Sequence, residues 1–484
     1  MNSPIRRLGV VVALMFCALL VAATLIQFVQ ADSLDNRPGN RRTLLASYSK
    51  QRGSILVGGN AVAVSKPTDD DLKWLRKYPD GKLYADVTGY YSFTYGASGI
   101  ERAEGDLLSG SSDKLFYRRL VDVVTGKPPQ GASVELTLDA KAQKAATDAL
   151  GNQRGAVVAL NPQTGAILAM VTSPTYDPNP LASHNLQSVS KAWKQLNNTP
   201  HNPLINRAIN GNLYPPGSTF KLVTSAAALS SGKYTPDTTV PGPASLKLPQ
   251  TTISLPTDDG RPCGPNDKTS LTHALAVSCN TAYASIGMDL GADALRKQAE
   301  KFGWGKDLNI PMAVTPSIFP DSLNEPQLAQ SAIGQYDVRA TPLQIAMVSA
   351  ATANDGRLMK PYLVQTVRDK DLDVIQSTDP KQLSTPLTPD AARSLTTMME
   401  AVVDNGTGSN ARISGVRVAG KTGTAQVGGD KLADDWFTGF APADNPQVAV
   451  AVVVENGGNL KQGSSGNTVA APIARAVMEA VIGK

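Results

Sequence analysis

Ser218 and Lys221 stand three positions apart in Tyr214-Pro215-Pro216-Gly217-Ser218-Thr219-Phe220-Lys221, a spacing that can make a serine into a nucleophile. The two prolines and the glycine force a turn. Behind it Phe220, Leu222, Val223, Ala226 and Ala227 begin an apolar helical pattern. Ser218 is therefore expected in the first turn of a helix, where unpaired backbone N–H groups favour nearby negative charge. Lys221 falls on the same helix face and can reach the serine hydroxyl. A lysine held among apolar groups can activate a serine without any histidine. A bare Ser-x-x-Lys is common by chance, so its meaning depends on what accompanies it.

Two further motifs follow in order, Ser278-x-Asn280 and Lys421-Thr422-Gly423. Together the three form the signature of class A β-lactamases and penicillin-binding proteins, and each part has a chemical use. Ser218 would attack a peptide or lactam carbonyl. Lys221, if desolvated and near another cation, would accept the serine proton. Ser278 can relay a proton to a leaving amine, and Asn280 can orient Lys221 and hold a substrate amide. Lys421 and the Thr422 hydroxyl suit a carboxylate, while Gly423 would let an edge strand approach a substrate backbone. The N–H groups of Ser218 and Thr424 would form an oxyanion hole worth a few kcal/mol.

From about residue 155 to its end the chain resembles the transpeptidase domain of penicillin-binding proteins. The apolar N-terminal run, Arg52-Gly53-Ser54-Ile55 and the non-catalytic region before Gly155 are similar to class B members, of the actinobacterial kind in particular. The resemblance implies an α/β (α+β) fold with a central antiparallel sheet flanked by helices, beside a smaller β-rich N-terminal extracytoplasmic domain. It implies a D,D-transpeptidase without a cofactor. Ser218 would be acylated by a D-Ala-D-Ala stem peptide with loss of D-Ala, an amine of a second stem peptide would attack, and β-lactams would acylate the same serine. The partners implied are peptidoglycan stem peptides, β-lactam antibiotics, the cell membrane, a separate membrane glycan polymerase, and division or elongation proteins.

Other readings compete. In a β-lactamase a glutamate must activate water for deacylation. Glu325-Pro326-Gln327-Leu328-Ala329 faintly echoes the class A Glu-x-x-Leu-Asn loop, but Ala329 stands at the asparagine position. A non-enzymatic membrane β-lactam sensor would carry a cytoplasmic signalling domain, and only about seven residues precede the apolar run. A D,D-carboxypeptidase would differ in using water to complete the reaction. Gly415-Val416-Arg417-Val418-Ala419-Gly420-Lys421-Thr422 fits the P-loop pattern letter for letter. A P-loop, however, follows a strand and opens a helix. Here the loop interior itself reads as a strand, and Gly423 to Gly429 makes a poor helix.

Composition agrees with a globular chain of more than one domain: 484 residues, 42% hydrophobic and 18% charged, with a net charge of +5. No basic run with interleaved aromatics argues for nucleic acid. His184, His201 and His273 show no metal-ligand spacing. Arg6 and Arg7 precede an uncharged run from Leu8 to Val29, about long enough to span a bilayer and longer than a signal peptide's apolar core. The small-residue site Val29-Gln30-Ala31 keeps cleavage as an alternative. The two arginines favour an inside N-terminus. Arg37, Arg41 and Arg42 beyond the run, among Asp32 and Asp35, weaken that argument, but long downstream domains cross regardless.

The expected organisation is a cytoplasmic tip and anchor over 1–31, a non-catalytic domain over 32–150 and the transpeptidase domain over 151–484. In the middle region Arg52 to Val57 and Asn60 to Val64 read as paired strands, Asp113 to Arg119 as a short helix, and Ser133 to Leu138 as an alternating strand. Asp139 would cap a helix to Leu150. Tyr84, Tyr90, Tyr91, Phe93 and Tyr95 read as packing between segments, not as a ligand platform. Cys17 falls in the apolar run. Cys263 and Cys279 are either two buried thiols or a candidate disulfide, which the chain-entropy argument values at roughly 3 kcal/mol.

Overall fold

In the structure, a computed structural model, residues 3–30, 48, 50–115, 130–211, 213–428 and 432–484 are described. The apolar run forms a helix, Ser3–Thr24, extended by a π turn over Leu25–Val29. At 1.5 Å per residue its 22 helical residues reach about 33 Å, enough to cross a hydrocarbon core of about 30 Å. None of its described side chains is buried. The charged flank from Asp32 to Arg42 and Ala31 of the alternative cleavage site lie outside the described residues.

Five strands form the main sheet, in the order Ala419–Ala425, Asp434–Ala441, Val448–Val454, Gly155–Leu160, Ile167–Ser173. Every pairing is antiparallel, and strands from both ends of this region share the one sheet. The near-continuous apolar runs follow from burial on both faces. Along the middle strand Val448, Val450, Val452 and Val454 join one core with the helices Ala140–Leu150 and Ala471–Ile482. Ala449, Ala451 and Val453 join the other. Alanines on that second face leave room for the buried helix Pro342–Ala353, whose Ser349 Oγ lies 2.7 Å from Thr438 Oγ1 of the sheet. Thr341 caps this helix by accepting from Gln344 N at 3.1 Å, and Pro342 occupies its first turn.

A second, six-stranded sheet runs Val374–Ser377, Val364–Arg368, Ser133–Leu136, Ile55–Val57, Asn60–Pro67, Trp74–Lys77. Its first two strands come from far beyond residue 150, so the two expected extracytoplasmic regions are joined by a shared sheet. Beneath it Glu101 is fully buried and receives Arg52 Nε and Arg76 Nε, each at 2.6 Å. Burial alone would raise this carboxyl, but the two guanidiniums hold it below the ordinary range. Arg76 Nη1 also donates to Gly53 O at 2.8 Å, tying down the Arg52-Gly53-Ser54-Ile55 stretch.

The aromatic patch packs between segments. Tyr95 stacks on Trp193 at 4.3 Å, and Tyr91 stacks on Tyr48 at 4.5 Å. Of the helix expected over Asp113–Arg119, Asp113–Leu115 forms a 3-10 turn, and the remainder of that segment lies outside the described residues.

Candidate active site

Ser218 sits in a 3-10 turn, Gly217–Phe220, that runs directly into the helix Lys221–Ser230. The turn is braced from three sides. Gly217 N donates to Gly334 O at 2.9 Å, Thr219 Oγ1 to Pro216 O at 2.7 Å, and Trp436 Nε1 of the sheet to Pro215 O at 3.1 Å. Gly334 has φ +74°, and a Cβ there would come within 2.1 Å of Gly217 O. No side chain fits between these two backbones.

Ser278 links the helices Leu271–Ala276 and Asn280–Leu290 and holds φ at +59°. A serine in the left-handed region is uncommon and costs on the order of 1 kcal/mol or more. Its neighbour Cys279 is disulfide-bonded to Cys263, and Cys279 N donates to Ala274 O at 2.8 Å. These ties hold the strained residue in place. The disulfide resolves the choice between a bridge and two thiols.

The edge strand Ala419–Ala425 completes the site. Lys421 lies inside it, not at a helix start, so the P-loop pattern lacks the helix that its chemistry needs. Lys421 Nζ donates to Thr422 O at 2.8 Å and to Ser278 Oγ at 2.9 Å. Successive residues of an antiparallel edge strand direct their backbone groups alternately to the neighbour and away from it. Thr422 O faces Lys421 Nζ in the cleft, so Thr424, two residues on, faces its N–H the same way. Gly217 lies against this point, since a Cβ on it would be 3.1 Å from Ala425 Cα.

Lys221 is fully buried and donates to Ser278 O at 2.6 Å, Asn280 Oδ1 at 2.6 Å and Ser278 Oγ at 3.1 Å. The sequence puts its amine within reach of the Ser218 hydroxyl and gives Asn280 as a group that orients it. Here the amine bonds the Ser278–Asn280 segment, which offers it three acceptors. Burial lowers Lys221 to about 7, against the opposing pull of the Asp258 carboxylate. Burial also lowers Lys421, strongly, with the like charge of Lys221 adding to the effect. Ser278 Oγ thus lies between two depressed lysines.

In the neutral amine of Lys221 the two N–H bonds are claimed by Ser278 O and Asn280 Oδ1, which only accept. The lone pair is left for a hydroxyl, that of Ser278 or that of Ser218 one helical turn away.

The structure therefore brings Ser218, Lys221, Ser278, Asn280, Lys421, Thr422, Gly423 and Thr424 to one cleft. A Cβ on Gly423 would meet Trp436 Cβ at 3.0 Å and Thr219 Cγ2 at 3.1 Å, so the glycine allows the close packing of strand and turn. Sequence reasoning missed Asp258, whose Oδ1 accepts from Asn280 Nδ2 at 2.8 Å, and Thr407, whose Oγ1 lies 2.6 Å from Thr422 Oγ1. It also missed Tyr283, whose ring centroid is 5.6 Å from Lys221 Nζ. No motif spacing marks these three. Glu325 is exposed in the first turn of the helix Glu325–Ser331 and belongs to none of these contacts. Among the described residues no group of His, Cys, Asp and Glu is arranged to hold a metal ion.

Beyond the strand end a cavity of about 850 Å³ opens, lined by Tyr214, Pro215, Arg339, Gln426, Val427 and Glu455 among others.

A family profile described as the penicillin binding protein transpeptidase domain matches residues 155–479, and one described as the penicillin binding protein A dimerisation domain matches residues 52–134. Over its whole length the chain is 44% identical to the peptidoglycan D,D-transpeptidase PbpA of Mycolicibacterium smegmatis, of which it covers 99%. It is 43% identical to PbpA of Mycobacterium tuberculosis, again over 100% of this chain and 99% of the relative. Among solved structures, the ceftriaxone acyl-enzyme complex of M. tuberculosis penicillin-binding protein A superposes with a TM-score of 0.87 at 43% identity, over 90% of this chain and 100% of the other. The penicillin G acyl-enzyme complex superposes with a TM-score of 0.85 at the same identity and coverage.

Proposed function

The chain belongs to the class B penicillin-binding protein transpeptidase family and is a serine-type peptidoglycan D,D-transpeptidase, and from that premise we propose how its residues share the reaction. Ser218 Oγ attacks the carbonyl between the two terminal D-alanines of a donor stem peptide. Lys221, lowered by burial to about 7 and so in large part unprotonated near neutral pH, takes the hydroxyl proton. The oxyanion is held by the N–H groups of Ser218 and Thr424. As the C–N bond breaks, Ser278 passes a proton to the departing D-Ala amine. The amine of a second stem peptide then attacks the ester, losing a proton along the same path, and the cross-link forms as Ser218 is released.

The observation that carries this reading is the placement of Ser278 Oγ, 3.1 Å from Lys221 Nζ and 2.9 Å from Lys421 Nζ, with both amines depressed by burial. Lys421 and Thr422 take the terminal carboxylate. An arriving carboxylate favours the ammonium form of Lys421, so substrate binding itself restores the charge that burial suppresses. With the carboxylate at 421–422 and the oxyanion at 424, the acyl half of the donor runs on past Gln426 toward the large cavity.

The test is partition between acceptors. A thioester donor offered with a D-amino acid should give transfer product exceeding hydrolysis. Hydrolysis alone would make the chain a carboxypeptidase, and fast turnover of penicillin would favour a lactamase.

We further place the enzyme at the cell membrane, held by the single helix Ser3–Thr24 with its catalytic domain outside the cytoplasm. We add, as the family resemblance implies, a separate membrane glycan polymerase working with division or elongation proteins. Depletion should produce filamentous or misshapen cells under the microscope; cells of normal outline and septation would refute a role in division or shape.

A further inference from the structure

Asp258 lies on an exposed turn shaped by its neighbours. Thr257 N donates to Ala244 O at 3.0 Å, Thr257 Oγ1 to Arg261 O at 2.8 Å, and Arg261 N to Asp259 Oδ1 at 3.0 Å. Just beyond the turn, Cys263 is bonded to Cys279, the residue between Ser278 and Asn280. The turn is therefore fastened to the segment that holds Lys221. Asp258 Oδ1 accepts from Asn280 Nδ2 at 2.8 Å, while Asn280 Oδ1 accepts from Lys221 Nζ at 2.6 Å.

A carboxylate only accepts, so it fixes which end of the amide faces outward. The NH₂ group must meet Asp258 and the oxygen must meet Lys221. Nδ2 keeps a second hydrogen available for a substrate carbonyl. Without the carboxylate the two ends of the amide are nearly equal in shape, and an outward-turned oxygen would present NH₂ to the lysine, leaving one Lys221 donor without an acceptor.

We propose that Asp258 is a positioning residue of the acylation reaction, orienting Asn280 so that its oxygen fixes Lys221 and offsetting the mutual repulsion of the two active-site lysines. The proposal rests on the reading of Ser218 as nucleophile and Lys221 as its base. Around the Lys221 amine stand Lys421 from the edge strand, the Tyr283 phenol from the helix Asn280–Leu290, and the neutral Ser278 and Asn280. Burial pushes the Tyr283 phenol upward, so it stays neutral. The Asp258 carboxylate pulls both lysines upward against burial. Because Asp258 is exposed, salt screens its field far more than it screens the buried lysine pair.

Two variants separate the two roles. Asp258→Asn keeps an acceptor oxygen and removes the charge; Asp258→Ala removes both. The second-order rate of acylation by a fluorescent penicillin is measured against pH on the full chain in detergent, with Ser218→Ala as control. Asp258→Ala should be slower than the wild type by about tenfold on the plateau, with its acid limb moved in the same direction as that of Asp258→Asn. Asp258→Asn should stay within about threefold on the plateau while its acid limb moves to lower pH. That shift should be on the order of half a unit, below the 1–3 units of a close buried pair because the group is exposed. High salt should move the wild-type limb in the same direction and leave the Asp258→Asn limb in place.

Two variants that superimpose on the wild type would overturn the proposal. So would equal losses in both with no movement of the limb, since that describes a turn that merely needs its aspartate. Labelling that persists in Ser218→Ala would overturn the underlying reading instead.

Discussion

Ser218→Ala is expected to abolish covalent labelling by penicillin, with a loss on the order of 10⁶ in acylation rate, the scale seen when a serine nucleophile is removed. The substitution deletes one oxygen from a turn whose shape depends on other atoms. Gly217 N, Thr219 Oγ1 and Trp436 Nε1 hold it through Gly334 O, Pro216 O and Pro215 O. Thermal stability should therefore stay within about 1 kcal/mol of the wild type. Mass spectrometry of the labelled wild type should place the adduct on the peptide bearing Ser218, and labelling of the alanine variant would sink the assignment. A penicillin conjugate unable to cross membranes adds a second readout. It should label wild-type cells before lysis, and labelling confined to lysed cells would overturn the outward placement of the domain.

The second large effect joins a loss of activity to a pH-dependent stability. Lys221→Met should lower acylation by about 10²–10⁴-fold, the usual range for a positioned proton acceptor, and its stability relative to the wild type should change with pH. Lys221 titrates near 7 in the folded chain against an ordinary 10.5. Between these values the unfolded lysine carries a proton that the folded one has released, so stability rises with pH across this window. The penalty is absent above about pH 10.5 and complete below about pH 7. Its size at neutral pH is on the order of 4 kcal/mol.

Methionine removes that penalty but strands Ser278 O and Asn280 Oδ1, at about 1–3 kcal/mol for each. At pH 7 the two effects nearly offset, and the variant should lose about 4 kcal/mol relative to the wild type as the pH rises from about 7 to about 10.5. The change is measurable as a pH-dependent difference in denaturant midpoint at unchanged slope. A stability difference that stays constant across this window would show that Lys221 is not held in the depressed state. In the same variant Lys421, freed of its like-charged neighbour, should titrate higher.

The parts of this site that were legible in the sequence are those with local rules. Pro215-Pro216-Gly217 announces a turn, the apolar spacing after it a helix, and Thr341-Pro342 a capped helix start, because such signals act over a few residues. The three motifs could be assembled only because they recur as a set. Asp258 and Thr407 carry no such mark. Each owes its place to a contact made by a loop whose path depends on tertiary closure, a disulfide in one case and the sheet edge in the other. The Asn280 contact with Lys221 follows the motif reading, whereas the carbonyl and hydroxyl of a left-handed Ser278 as its further acceptors carry no local mark. Likewise nothing local assigns Val364–Arg368 to the sheet begun by Ile55–Val57.

The order of the main sheet also sets a timetable for synthesis. Gly155 pairs with Val454, roughly three hundred residues later, and within the sheet the strand bearing Lys421 reaches the Gly155 strand only through Asp434–Ala441 and Val448–Val454. A nascent chain displays the nucleophile long before the strand that would complete its oxyanion hole. Until the last strands emerge, the first hairpin, Gly155–Leu160 with Ile167–Ser173, leaves one apolar edge unpaired, a template for unwanted pairing. The oxyanion hole can therefore be completed only once the strand bearing Lys421 and Thr424 has been made and has joined the sheet.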